Sequence, residues 1–242
     1  MNYHRSRLLS PRQLALAVLL LLPVLRLAAR SQSQRVAQAT KPPAMRTLTT
    51  TDKVCALTFD DGPDRRFTPR MLDELRKRRI RATFFVIGEQ VALYPEIAKR
   101  LVAEGHVIGN HSYTHPWLDR MPDDIVAAEL KSSDEVITRV TGKPPTLFRP
   151  PRGGLTPTII RQCAERKLKI VRWSVCADNQ EAPTPQLMAQ RVLDRAEPGM
   201  IVLIHDGRMA IREKDVQALP LILDGLQKLG YVFVPLEGKW VK

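Results

Sequence analysis

The chain has 242 residues, enough for one domain of moderate size with a terminal extension. Apolar residues make up 44% of it and aromatic residues only 5%, which suits a globular protein and excludes a large aromatic stacking surface. The formal net charge of +13, from 38 lysines and arginines against 25 acidic residues, favours an acidic partner such as nucleic acid or an anionic cell envelope.

The first 30 residues differ in composition from the rest of the chain. Three arginines precede an apolar run at residues 14–25, which is shorter than the roughly 20 residues of a membrane-spanning helix. A basic start followed by a short apolar run is typical of a secretory signal. Arg26 and Arg30 interrupt the region where a cleavage site would stand, so an uncleaved membrane anchor is the alternative. Residues 1–30 therefore predict an exported, extracytoplasmic protein that meets the membrane only through its N-terminus.

A tether and one folded domain are predicted to follow. Residues 31–52 are rich in Ser, Gln, Thr, Ala and Pro without periodicity, which predicts a flexible linker. We expect a single folded domain over residues 53–242. The cysteines, Cys55, Cys163 and Cys176, are odd in number and lack a CxxC spacing, so no disulfide framework is expected.

Short apolar runs alternate with amphipathic segments in the predicted domain. The runs predict strands at residues 54–60, 82–88, 106–112, 147–150, 169–175, 200–206 and 231–236. The intervening segments predict helices at residues 68–79, 95–104, 123–140, 156–167, 185–196 and 215–229. Alternation at this length indicates an α/β fold with a parallel sheet. About seven units are too few for a regular eight-fold barrel, so we expect an incomplete (β/α) barrel, with a doubly wound open sheet as the alternative.

Polar residues stand at the carboxyl ends of several predicted strands. Asp60 and Asp61 end the first strand, His111 ends the third, Arg149 the fourth and His205 the sixth. The carboxyl ends of parallel strands meet at one edge, where active sites of such folds assemble. These residues are therefore expected to converge.

The residue types at this edge indicate a metal site with an acid beside it. The adjacent carboxylates of Asp60 and Asp61 repel each other unless a cation lies near, although a polar turn would also explain them. His111 and His115 are spaced i, i+4, which on a helical turn places both rings on one face. Two histidines and one carboxylate leave coordination positions open for water and substrate. His205 is suited to act as a general acid near neutrality.

Three motifs make these residues recognisable as a set. They are TFDDGP at residues 58–63, His-Ser-x-x-His at residues 111–115 and Leu-x-His-Asp at residues 203–206. With them, the sequence resembles the polysaccharide deacetylases of carbohydrate esterase family 4, the nodulation-protein-B homology domain, over residues 53–236. The resemblance implies a distorted (β/α) barrel. It also implies a hydrolase that removes acetyl groups from N-acetylated sugars of peptidoglycan, a chitin-like polymer or a related envelope glycan.

The resemblance assigns roles to the residues at the strand ends. It implies that Asp61, His111 and His115 hold a divalent metal, commonly zinc, with cobalt or another divalent ion as the alternative. It implies that Asp60 is the catalytic base and His205 the catalytic acid. The metal would polarise the amide carbonyl and the acid would protonate the departing amine.

The third motif of the family, Arg-x-Pro-aromatic-Gly, is matched in part. Arg149 and Pro151 match it, and a backbone N–H of this loop would hold the oxyanion. Arg152 stands in place of the aromatic residue, which predicts a cationic groove wall and an acidic feature in the substrate. Leu203, in the fifth motif, would line the pocket for the acetyl methyl group.

The fourth motif departs further from the family. The family has Asp-x-x-Asp-Trp, and the aligned positions hold Cys176, Asn179 and Gln180. The absent Asp normally pairs with the third-motif arginine, so Arg149 would lack its carboxylate, and Asp178 is the candidate to replace it. We expect slower turnover or a non-standard substrate, without loss of the metal.

Other functions remain open at this stage. The altered motifs allow an amidase or esterase acting on a non-sugar acyl group, and a non-catalytic glycan-binding homologue is a third alternative. Intact Asp60 and His205 argue against the binder, because binding alone needs neither. The chain has no basic stripe with interleaved aromatics and no known nucleic-acid motif, so no nucleic acid is expected. The sequence carries no signal for an oligomeric state.

Overall fold

Eight short strands form one parallel sheet in residues 44–178 and 182–238, the part of the chain that this computed structural model describes. The strands are β1 (Val54–Asp60), β2 (Thr83–Val86), β3 (Val107–Asn110), β4 (Leu147–Phe148), β5 (Lys169–Ile170), β6 (Val175–Cys176), β7 (Met200–His205) and β8 (Val232–Phe233). The α-helices are α1 (Thr68–Lys77), α2 (Gly88–Leu93), α3 (Pro95–Ala103), α4 (Asp123–Thr141), α5 (Pro157–Glu165), α6 (Pro185–Asp194) and α7 (Glu213–Lys228).

The order of the strands leaves the sheet open on one side. Neighbours run β5-β4-β3-β2-β1-β7-β6, and β8 pairs with the first residues of β1. Within the described residues no ladder joins β5 to β6, so these two strands are the edges. The predicted distorted, incomplete (β/α) barrel is confirmed.

The two faces of the sheet have different packing partners. Leu57 and Phe59 of β1 point outward into a cluster that includes Leu72 of α1. Ala56 belongs to an inner cluster that contains no α-helical residue. Because side chains alternate along a strand, Asp60 shares the inner face with Ala56. A doubly wound sheet would have helices on both faces, so that alternative is excluded.

The predicted strand at residues 169–175 is wrong as a single element. Its first part is β5, which pairs with β4, and its last part is β6, which pairs with β7 at the other end of the sheet. Residues 171–174 cross the open side of the barrel between the two edges. The sequence of this run does not reveal the exchange, because each half is a strand of only two residues whose neighbour is decided by tertiary packing.

The packed domain begins before the predicted boundary at residue 53. Met45 and Thr47 form isolated bridges with Val171 and Met200, and Leu48 is buried. These residues cover part of the open side, so the end of the predicted linker is corrected to a packed segment. The leader and the rest of the linker lie outside the described residues. No helix of the described part is long and apolar enough to cross a membrane.

Candidate active site

The carboxyl edge of the sheet brings the predicted polar residues together. Asp60 and His205 are register partners on the adjacent strands β1 and β7. The His111 N–H donates to the carbonyl of Val86, which continues the pairing of β3 with β2. The Arg149 N–H donates to the Asn110 carbonyl in the same way. Residues up to 145 positions apart in sequence therefore face one pocket, because each follows or ends a parallel strand.

Asp61, His111 and His115 have the spacing of a metal-ligand set. Asp61 Oδ1 lies 3.6 Å from His111 Nε2 and 3.2 Å from His115 Nε2. Three ligands of a tetrahedral zinc ion lie about 3.4 Å from one another when each is about 2.1 Å from the metal. Asp61 Oδ1 is buried and has no hydrogen-bond partner among the described residues, as a ligand oxygen reserved for a cation would be. The three residues therefore fit a divalent metal.

His111 is oriented by a backbone carbonyl. Its Nδ1 lies 2.7 Å from the carbonyl oxygen of Arg149, which is an acceptor only, so Nδ1 carries the hydrogen and donates it. The lone pair is then on Nε2, the nitrogen that faces Asp61. Hydrogen bonds of this kind fix the tautomer and ring orientation of metal-binding histidines.

His115 lies in a loop and not on the predicted helical turn. Ser112 and His115 both have left-handed backbone conformations, with φ of 68° and 60°. Asn110 Oδ1 accepts from the Ser112 N–H, and Ser112 Oγ accepts from the His115 N–H. The Glu129 carboxylate accepts from the loop N–H groups of the two residues between them. The i, i+4 spacing thus brings the rings together through a side-chain-stabilised loop.

The electrostatics keep His115 and Asp61 in the protonation states that bind a metal. Burial lowers the pKa of His115 to about 3, and the neighbouring His111 ring and the guanidinium groups of Arg208 and Arg152 act in the same direction, so the His115 ring is neutral at neutral pH. Burial alone raises the pKa of Asp61, but its polar contacts with His111 and the nearby rings of His205 and His115 outweigh burial, so the pKa is lowered. A neutral imidazole and an ionised carboxylate are what metal binding requires.

Asp60 is held by a fully buried arginine. Arg149 Nη1 donates to Asp60 Oδ1 over 2.6 Å and to the hydroxyl of Thr58 over 2.9 Å, and Nη2 donates to the Arg172 carbonyl. The other oxygen, Asp60 Oδ2, lies 3.7 Å from His111 Nε2. Asp60 therefore presents one oxygen to the metal pocket while the other is bound to Arg149.

A buried carboxylate ties the loop after β1 to the loop after β7. Asp206 Oδ1 accepts from the Gly62 N–H over 3.1 Å, and Oδ2 accepts from the Thr68 hydroxyl over 2.6 Å. A Cβ on Gly62 would lie 2.3 Å from this carboxylate, so only glycine fits. Burial raises the pKa of Asp206 to about 7. The sequence analysis assigned no role to Asp206 of the Leu-x-His-Asp motif. In the structure its carboxylate fixes the loops that shape the pocket.

Comparison with known proteins decides the family. A family model described as polysaccharide deacetylase matches residues 47–171. The chain belongs to the polysaccharide deacetylase family. It is 37% identical over 181 residues to a peptidoglycan-N-acetylglucosamine deacetylase of Bacillus cereus, covering 75% of this chain and 66% of that protein. It is 35% identical over 195 residues to the peptidoglycan-N-acetylmuramic acid deacetylase PdaC of Bacillus subtilis, covering 81% of this chain and 40% of that one.

A solved structure has the same fold. The crystal structure of a peptidoglycan N-acetylglucosamine deacetylase superimposes with a TM-score of 0.76 at 34% identity, covering 80% of this chain and 90% of that chain. The resemblance read from the motifs is thereby confirmed at the level of the family. The chain spans 66% and 40% of the lengths of the two curated relatives, so it corresponds to part of each.

Two arginines lie against a tryptophan beside the loop of the third motif. Pro151 begins a short 3-10 turn in which Arg152 has a left-handed conformation, with φ of 58°. The exposed Arg152 guanidinium lies 4.0 Å from the ring centre of Trp117, and that of Arg120 lies 4.3 Å from it. Leu203 is buried on β7, two residues before His205 and on the same face. A tryptophan flanked by two arginines therefore lies beside the position where the sequence predicts a cationic wall.

Asp178 does not take the place that the sequence predicted for it. The partner of Asp178 is His205 and not Arg149. Asp178 Oδ1 lies 2.9 Å from His205 Nδ1, and Asp178 Oδ2 accepts from Arg212. The prediction that Asp178 replaces the carboxylate of Arg149 is wrong, because the loop after β6 turns it toward β7. Cys176 donates its thiol hydrogen to Asp178, and Asn179 and Gln180 lie outside the described residues.

The Asp178 contact sets the protonation of His205. Burial alone lowers the pKa of His205, and the hydrogen bond and charge of Asp178 outweigh it, so the pKa is raised. The pKa of Asp178 is lowered to about 2 although burial opposes this, mainly because of His205. His205 Nδ1 therefore donates to a carboxylate, and Nε2 is the nitrogen left to face the pocket.

Replacing Asp178 by asparagine is expected to move the alkaline limb of the kcat–pH profile to lower pH. A general acid must be protonated, so kcat falls as pH rises through its pKa. Without the carboxylate, the pKa of His205 falls and its proton is lost earlier. The profile of acetate release between pH 5 and 10 checks this, and an alkaline limb that stays in place would show that another group donates the proton.

Proposed function

We propose that this chain is a divalent-metal-dependent hydrolase that removes acetyl groups from the N-acetylated sugars of peptidoglycan. The observation that carries the proposal is the meeting of the Asp61, His111 and His115 set with Asp60 and His205 at one edge of the sheet. The names of the relatives, which are peptidoglycan deacetylases, support the substrate class. Zinc is proposed as the metal because two imidazoles and one carboxylate are a common zinc ligand set.

The chain supplies a base to activate water. When bound, a divalent ion would polarise the acetamide carbonyl and make water more acidic. Asp60 Oδ1 is occupied by Arg149, so Oδ2 is the oxygen that takes the proton from the attacking water. The buried guanidinium keeps Asp60 in one orientation, which reduces the motion that must be lost before attack.

The chain also supplies an acid for the leaving group. Collapse of the tetrahedral adduct breaks the C–N bond, and the sugar nitrogen takes a proton from His205 Nε2. Asp178 stabilises the imidazolium and orients the ring through Nδ1. Because Asp60 and His205 are register partners on neighbouring strands, base and acid would both reach the same acetamide group. Acetate and a free amino sugar leave.

The proposal is tested by acetate release from purified peptidoglycan. The apo-chain, prepared with a chelator, is expected to be inactive, and one equivalent of zinc or cobalt is expected to restore release by at least about 10²-fold, the range of metal-assisted hydrolysis. Chitin oligomers and an aryl acetate are compared in the same assay. Release from the aryl acetate alone would favour the esterase alternative, and binding of glycan without release would favour a non-catalytic homologue.

A second candidate substrate within this class is favoured by Arg152. Its guanidinium and that of Arg120 flank Trp117 at the mouth of the pocket, where an acidic sugar substituent would be bound. N-acetylmuramic acid carries a carboxylate, and PdaC is named for deacetylating it. We therefore infer a preference for N-acetylmuramic acid over N-acetylglucosamine.

Replacing Arg152 by tyrosine is expected to remove this preference. The loss of one charge-assisted hydrogen bond, worth about 1.5–3 kcal/mol, predicts a fall of roughly 10- to 100-fold in kcat/KM for muramoyl substrates and little change for glucosamine substrates. Assays on oligomers with and without the acidic substituent check this. Equal changes for both substrates would contradict the acidic-substrate inference.

We propose that the reaction takes place outside the cytoplasm. The basic start and short apolar run of residues 1–30 support export, by a cleaved signal or as an anchor. Peptidoglycan is an extracytoplasmic polymer, which agrees with the proposed substrate. Cell fractionation tests the proposal, and full-length protein found only in the cytoplasm would contradict it.

A further inference from the structure

A buried arginine lies among three carboxylates beside the proposed acid. Arg212, which ends a short 3-10 turn before α7, is 7% exposed. Its Nη1 donates to Asp178 Oδ2 and lies 3.7 Å from Asp215 Oδ2, and its Nη2 lies 3.6 Å from Asp61 Oδ2. Arg212 therefore lies between Asp61, on the metal side of the pocket, and the Asp178–His205–Asp215 cluster, which forms its acid side.

Without this arginine, the acid side has the composition of a metal site. Asp178, His205 and Asp215 each offer a ligand atom within 4.8 Å of the other two. Asp215 is fully buried, its Oδ1 accepts from the His205 N–H, and its Oδ2 has no hydrogen-bond partner among the described residues. Two carboxylates and one imidazole are the same donor types as in the Asp61 set, and they suit the same divalent ions.

A second metal ion here would disable the proposed chemistry. An ion bound to His205 Nδ1 would replace the hydrogen that this nitrogen donates to Asp178, so the ring could no longer be the imidazolium whose Nε2 protonates the leaving amine. Asp178 could not orient His205 while it coordinated that ion. The guanidinium of Arg212 is permanently charged, and it lies against the oxygens that such an ion would bind. The cluster thus already contains its counter-ion.

We infer that Arg212 is a positioning residue that holds Asp178 against His205 and excludes a second divalent ion from the Asp178–His205–Asp215 cluster. This inference rests on the proposed function for the role of His205, but the exclusion of the ion is independent of activity. The planar guanidinium excludes the ion because it contacts Asp178 while it lies near Asp215 and Asp61, and so occupies the space between the carboxylates. Of the two clusters of possible metal ligands in the described residues, only the one formed by Asp61, His111 and His115 is then left for the metal.

The test is the zinc stoichiometry of Arg212→Met. The apo-chain is titrated with zinc chloride in a calorimeter, and bound zinc is measured by elemental analysis after dialysis. Arg212→Met is expected to bind one zinc ion more per chain than wild type, and kcat at saturating zinc is expected to fall at least tenfold while KM changes less than twofold. Arg70→Met is the matched control, because Arg70 of α1 pairs on the surface with Glu213, the residue after Arg212. It should equal wild type in both measurements.

A double variant separates ion exclusion from simple damage to the fold. Arg212→Met with Asp215→Asn lacks one ligand of the cluster and is expected to return to the wild-type stoichiometry. If Arg212→Met does not fold, Arg212→Gln undergoes the same titration with the same expectation. Unchanged stoichiometry in a folded Arg212 variant at millimolar zinc would overturn the inference. Absence of acetate release by wild type would contradict the proposed function and leave the stoichiometry test in force.

Discussion

Replacing Asp60 by asparagine is expected to lower kcat for acetate release by about 10³-fold, within the range of general-base catalysis. Asparagine has nearly the same shape, and its Oδ1 can still accept from Arg149 Nη1. Its amide nitrogen, which would stand where Oδ2 faces the pocket, cannot accept a proton from water. The measurement is steady-state acetate release from peptidoglycan with one equivalent of zinc. The substitution changes no other group of the pocket, so the loss is assigned to Asp60.

The same variant separates catalysis from metal binding. Asp60 is not one of the three residues with ligand spacing, so the zinc affinity of Asp60→Asn is expected to lie within about threefold of wild type. His111→Ala is the contrasting variant, since it removes a ligand and should abolish both zinc binding and activity. A folded Asp60→Asn variant with more than a tenth of wild-type kcat would contradict the role of Asp60 as base.

Replacing Arg149 by methionine is expected to cost about 3–5 kcal/mol in the free energy of unfolding, the range for removing one partner of a buried ion pair. Arg149 is fully buried, and its guanidinium bonds Asp60, Thr58 and the Arg172 carbonyl. Methionine fills much of the volume but leaves the Asp60 carboxylate buried without a counter-ion. Urea unfolding at pH 7 measures the loss, and activity should fall with it because Asp60 is no longer held.

A double-mutant cycle assigns this cost to the ion pair. In an Asp60→Asn background the charge is absent, so Arg149→Met is expected to destabilise the chain by at least about 1 kcal/mol less than in wild type. Arg161→Met is the surface control, because Arg161 and its partner Asp123 are both exposed and their pairing adds little stability. Equal costs in both backgrounds would show that packing, and not the charge of Asp60, explains the effect.

Much of the fold was predictable because it is encoded locally. Alternating apolar runs and amphipathic segments indicated the strands and helices, and the inner and outer faces of β1 follow from the alternation of its side chains. The segment at residues 169–175 was not predictable in this way. Its two halves join opposite edges of the sheet, and nothing in a continuous apolar run records which neighbour each half finds.

The candidate site also contains residues that the sequence predicts and residues that it does not. The residues that follow strand ends, Asp60, Asp61, His111, Arg149 and His205, were predictable, because a parallel sheet brings such positions to one edge whatever the loops do. The residues that support them depend on the path of loops. Asn110 and Glu129 shape the His115 loop, and an asparagine directly before His111 was the one signal for this in the sequence.

The sequence by itself determined the family, the (β/α) architecture and the set of polar residues that meet at the pocket. Only the tertiary structure decided that Asp178 pairs with His205 and not with Arg149, and that Arg212 lies between the acid and metal sides. The physical reason is that residue type and strand position are local properties. The choice of partner for a charged side chain depends on which carboxylates the loops bring within hydrogen-bond reach, and on the cost of burying any charge that is left without one.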